Sequence, residues 1–166
     1  MFDKEYVFYG KHADIVKKLT SPLTSNIKKK LFENNIDVYV VAPLIGYLYN
    51  RKADVEKGAD STTKVFRDKI MDESDSLKYN YRLLMVLLNK DKSQEELTRI
   101  AFKLDNDDKA RAEYDQLYNQ YVLGGVEVLN EKLFEDASDI DEYLMNAYNF
   151  MEEFNNRYYE EISEEI

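Results

Sequence analysis

Ile36-Asp37-Val38-Tyr39-Val40-Val41-Ala42-Pro43-Leu44-Ile45-Gly46-Tyr47-Leu48-Tyr49 is the stretch on which the fold turns. Its β-branched opening suits a strand, but fourteen residues is long for one, and Pro43 could occupy a first helical turn. We read it as a buried helix kinked at Pro43. A proline inside an isolated helix costs about 3 kcal/mol, so surrounding burial must offset it. Read as a strand instead, the stretch adds one small strand and leaves the fold class unchanged.

On both sides of this stretch, apolar residues recur at three- and four-residue intervals, and Pro and Gly are scarce at two and five. That periodicity predicts helix. A short helix is expected from His12 to Leu19, ending near Thr20-Ser21-Pro22 because proline disfavours helical geometry in the residue before it. A second runs from Ser25 to Glu33, capped by Ser25. Beyond the loop around Gly58, helices are predicted over Thr62 to Asp72 and Ser76 to Leu88. Ser93-Gln94-Glu95-Glu96 is a capping-box pattern that starts another, ending near Leu104. After the Asp105-Asn106-Asp107-Asp108 turn, one helix reaches about Tyr121, and Gly124-Gly125 is read as a break before Val126 to Phe134.

The last element is an acidic helix of about 138–163, capped by Ser138, with Ile140, Leu144, Ala147, Met151, Phe154, Tyr158 and Ile162 spaced close to a heptad seam. It is expected to pack along a bundle. The fold class is therefore all-α: a single-domain, irregular helical bundle over 1–166 with a long amphipathic C-terminal helix.

The composition closes off several chemistries. The chain has no Cys and one His, which removes disulfides, thiol catalysis, thiolate zinc sites and iron–sulfur clusters. No apolar run approaches the roughly 20 residues of a membrane span, and Met1-Phe2-Asp3-Lys4-Glu5 is not a leader pattern, so we expect a soluble, cytoplasmic protein. The net charge of −10 is uneven: residues 131–166 hold twelve acids against only Lys132 and Arg157, which equals the excess of the whole chain.

Candidate sites are few. His12 lies in a polar context without a G-x-S-x-G elbow or H-E-x-x-H motif and reads as a surface or capping residue. The Asp105 run begins like a calcium loop but has Ala110 where the loop needs Gly and Gln116 where it needs Glu. Asp68, Asp72, Glu73 and Asp75 fit an acidic helix surface; as Mg²⁺ ligands, Asp68, Asp72 and Asp75 would be the residues of a metal-dependent hydrolase. No metal site and no cofactor is assigned, and no catalytic residue. Lys28, Lys29, Lys30, Arg51 and Lys52 could form a basic patch for nucleic acid if folding gathers them. Fourteen tyrosines without a tryptophan are more unusual. Tyrosine buries a ring and keeps a hydroxyl wet, so Tyr143, Tyr148, Tyr158 and Tyr159 on the last helix are the preferred partner-binding residues.

Phe32 to Lys52, with Tyr79-Asn80-Tyr81-Arg82-Leu83-Leu84-Met85 and Tyr121-Val122-Leu123-Gly124-Gly125-Val126-Glu127-Val128-Leu129, resembles small helical accessory proteins of bacterial phage-defence loci. DndE-like proteins of DNA phosphorothioation are the family to compare. The resemblance implies a helical oligomer linked to DNA and carries over no functional residue.

The expected function is a non-enzymatic interaction or adaptor subunit of a bacterial or phage assembly, concerned with phage defence. Its partner is a protein or a second copy of the chain. The alternatives are a nucleic-acid-associated defence component using the N-terminal basic patch, and an acidic DNA-mimic inhibitor.

Overall fold

The computed structural model describes residues 2–23, 28–56 and 58–164, with side chains as far as Arg157. Strand β1 (Tyr6–Tyr9) leads into α1 (Gly10–Leu19), followed by α2 (Asn35–Leu48), β2 (Thr62–Val65), α3 (Arg67–Asp72) and α4 (Ser74–Leu88). Helix α5 (Gln94–Thr98) runs on into a π-helical segment (Arg99–Lys103), and α6 (Asp108–Phe134) and α7 (Ile140–Glu164) complete the chain. Helix accounts for 66% of the residues, as the apolar periodicity predicts.

The Ile36 stretch is helical. Asp37 accepts from the Asn34 amide at 2.8 Å and so fixes the start of α2. Within α2, Ile36, Val38, Tyr39, Ala42, Pro43 and Ile45 are all buried. Burial is what carries Pro43, together with help from a neighbour: the buried Asn80 of α4 donates to the Val40 carbonyl at 2.8 Å, in the turn before the proline.

Helix α6 is the axis of the molecule, 27 residues and about 40 Å long at 1.5 Å per residue. Its most extensive contact is with α2. Gly124 and Gly125 do not break the chain but lie inside α6, buried, where α2 and the chain after it cross. A Cβ on Gly125 would run into the Ala42 carbonyl, and one on Gly124 would meet the backbone of Arg51 and Lys52. The break was expected because glycine weakens an isolated helix by about 1 kcal/mol. Close approach of two backbones reverses that preference.

Other expectations change as well. Thr62–Val65 is a strand, not the first turn of a helix, and pairs antiparallel with β1: Tyr6 stands opposite Val65 and Tyr9 opposite Thr62. The class is thus helical with one two-stranded ribbon, whose aromatic and β-branched residues fit a half-buried pleat. The helix expected over Ser25 to Glu33 falls partly outside the described residues; Lys28 to Glu33 are not helical. At the start of α7 the cap is Asp139, which accepts from the Asp141 and Glu142 amides at 3.0 Å, while Glu142 reaches back to the Ser138 amide at 2.6 Å. Ser93 caps α5 as expected, its Oγ accepting from the Glu96 amide at 3.3 Å, without the reciprocal bond of a full capping box among the described residues.

His12 is not a surface residue. It is fully buried between α1 and α6, with Nε2 3.1 Å from Glu127 Oε1 and Nδ1 without a partner among the described residues. A neutral ring donating from Nε2 satisfies that nitrogen and leaves Nδ1 a buried acceptor without a partner, a cost that a protonated, charged ring at this depth would exceed. Burial accordingly lowers the imidazole pKa, against the opposing pull of Glu127.

Candidate partner-binding surface

Helix α7 is held to the body by one stripe and leaves another open. Tyr143, Ala147 and Phe150 pack against the core, with the Tyr143 ring 5.2 Å from that of Phe134. Charged residues lock this orientation. Glu153 pairs with Lys132 of α6 at 2.7 Å and with Arg157 at 2.9 Å. Both cations lie over the Tyr49 ring, Arg157 at 4.2 Å and Lys132 at 5.2 Å from its centroid. Arg157 also donates to the Leu48 carbonyl at 3.2 Å, so it caps the C-terminus of α2 where a cation suits the helix dipole. Burial, and then the Glu153 carboxylate, push the Tyr49 phenol up to about 12.

The consequence is a rotation of α7 away from its heptad seam. Leu144 is 55% exposed, Met151 66% and Phe154 45%. Beside them Met145 and Tyr148 are also exposed. Exposed apolar residues scattered singly are ordinary, but these five lie close together along one helix.

This stripe borders a groove of about 510 Å³ between α2, α4 and α7. Val41, Leu44 and Leu84 line it from the body, Leu87 stands on α4, and Met151 and Phe154 come from α7. Asn155 and the hydroxyl of Tyr47 are the polar side-chain groups among its lining residues.

The tyrosines chosen from sequence divide accordingly. Tyr143 is half-buried and serves packing, and Tyr148 is exposed beside the stripe. Tyr158 and Tyr159 fall in α7, but their side chains lie outside the described residues. Leu144, Met151 and Phe154, expected from their spacing to pack along a bundle, are exposed instead, and sequence reasoning also missed the contribution of Leu87 and Leu48, which belong to other helices.

The basic residues are not brought into one patch. Lys28, Lys29 and Lys30 precede the N-terminus of α2, whereas Arg51 and Lys52 follow its C-terminus, about 20 Å away along a 14-residue helix. Arg51 is committed to Glu131 through two hydrogen bonds of 3.1 Å, and Lys52 lies over the Tyr121 ring at 5.3 Å. Lys28 and Lys29 are exposed, and Lys30 donates to the Glu33 carbonyl at 3.3 Å. Asp68, Asp72 and Asp75 are exposed, and no group of three or more His, Asp or Glu among the described residues could hold a metal ion. Among the same residues, no helix is long and apolar enough to cross a membrane.

Another depression, of about 550 Å³, is lined by Tyr6, Tyr39, Tyr81, Arg111 and Asp115. Arg111 is spoken for there: its guanidinium donates to the Leu104 and Asp105 carbonyls at 3.1 and 2.6 Å and pairs with Asp108 and Asp115. It closes the turn between the π-helical segment and α6.

No family model, curated protein or solved structure matches the chain.

Proposed function

We propose that this protein is a non-enzymatic interaction subunit whose docking surface is the open stripe of the amphipathic helix α7. The carrying observation is the exposure of Leu144, Met151 and Phe154 at heptad spacing on a helix anchored by its other side. A helix fixed by Tyr49, Lys132 and Arg157 presents that stripe in one orientation, so little conformational freedom is lost on binding. The DndE-like resemblance supports placing the subunit in a phage-defence assembly.

Photo-crosslinking in the native cells tests the reading. A photoreactive residue at Leu144 or Met151 is expected to capture one and the same protein, absent when the residue is placed at Glu113, an exposed position on α6. The purified pair must then reform the complex, and Leu144→Glu with Met151→Glu must abolish it. Adducts at Met151 no different from those at Glu113 would overturn the proposal. DNA retention that vanishes when Lys28, Lys29 and Lys30 become Glu would move the function to the nucleic-acid alternative.

A further inference from the structure

Resting on that reading, we infer that the groove between α2, α4 and α7 receives a single amphipathic helix from a basic protein partner. The apolar surface is longer than the groove itself. Leu83 lines the groove and also a neighbouring depression of about 530 Å³, where Tyr79, Val86 and Phe102 carry the surface across α4 to the π-helical segment. Tyr79 and Phe102 are both exposed. A linear apolar track with side-chain-sized recesses is what a helix with anchors at i, i+3 or i+4 and i+7 covers.

Charge selects the occupant. On α7 the described acids Asp141, Glu142 and Glu152 are exposed, while Arg157, the one cation of that helix, is turned inward onto Tyr49 and the Leu48 carbonyl. The rim that α7 contributes is therefore negative. A second copy docking through its own α7 would set these carboxylates against their equals, and nucleic acid or an anionic membrane would meet the same repulsion. Lysines flanking the apolar face of a partner helix would instead be attracted. Lys78, Arg82 and Asp75 border the second depression, where Arg82 lies over the Phe102 ring at 5.2 Å and pairs with Asp105 at 2.9 Å, so the negative rim is the one beside α7.

The test uses the full chain and three labelled peptides of about 18 residues, long enough for five helical turns. The first has leucines on one face flanked by lysines; the second replaces lysine by glutamate; the third is a scramble of the first. Anisotropy measures binding, and methyl NMR locates it. The lysine peptide is expected to shift the methyls of Leu48, Leu87 and Met151. The glutamate peptide and the scramble should each bind about tenfold more weakly or worse, tenfold corresponding to about 1.4 kcal/mol. Leu87→Glu and Met151→Glu, both at exposed positions, should weaken the lysine peptide by a similar factor with the circular dichroism unchanged.

Equal binding of the scramble, shifts confined to other surfaces, or folded variants that bind as before would overturn the inference. A chain that ignores all three peptides yet crosslinks one protein through Met151 discards this occupant and keeps the interaction role. A chain that seats the lysine peptide in the groove but forms no specific adduct in cells keeps the groove's chemistry and removes the proposed function.

Discussion

Gly46 of α2 and Gly125 of α6 meet back to back: a Cβ on Gly46 would lie 3.0 Å from the Gly125 nitrogen, and one on Gly125 would lie 2.9 Å from the Gly46 nitrogen. The contact is backbone on backbone, so no rotamer change can relieve an added methyl group. Gly125→Ala is expected to lower stability by about 3 kcal/mol or more, at or above the upper end of ordinary overpacking. Urea unfolding measures it, and an unchanged midpoint would show that the two helices do not cross this closely.

His12 makes stability depend on pH near neutrality. Its pKa is lowered from the usual 6.5 by burial, so the folded state resists the proton that the unfolded state accepts. The resulting stability is complete above pH 6.5 and is lost as pH falls from there toward the lower folded value. Melting temperatures from pH 8 to pH 5 should show this decline in the wild type, and His12→Gln should flatten it.

Glu153 gives a second, more acidic transition confined to α7. The Lys132 hydrogen bond, with that of Arg157, holds its carboxyl below the usual 4.5 despite some desolvation. Its contribution is present above that value and is lost as pH falls through the folded pKa. Amide exchange along α7 should therefore accelerate in acid before the rest of the chain does. Lys132→Met should produce the faster exchange already at pH 7; a helix as protected as before would mean that Tyr143 and Phe150 suffice to hold it.

Arg111 is a buried cation whose partners include two main-chain carbonyls. Arg111→Lys keeps the charge but not the fork that reaches Leu104, Asp105, Asp108 and Asp115 together. A loss of about 2 kcal/mol is expected in denaturant titration.

The open stripe behaves in the opposite way. Leu144→Asp and Met151→Asp place charge where the residues already face water, so each should change stability by less than about 0.5 kcal/mol. A loss of several kcal/mol in a purified monomer would show these side chains to be core.

The sequence by itself determined that the protein is mainly helical and that Ser93 starts a helix, because periodicity and capping are local properties of neighbouring residues, but it left Ile36 to Tyr49 open between helix and strand. Only the tertiary structure decided the rest. The ribbon joins residues 6–9 to 62–65, the glycines of α6 are explained by a helix some eighty residues earlier, and His12 is buried by an acid on α6. The face that α7 turns to the body depends on Tyr49 and Lys132, which no spacing within α7 can report. Contacts between residues remote in sequence leave no period in the chain, and here they decide both what is buried and what stays exposed.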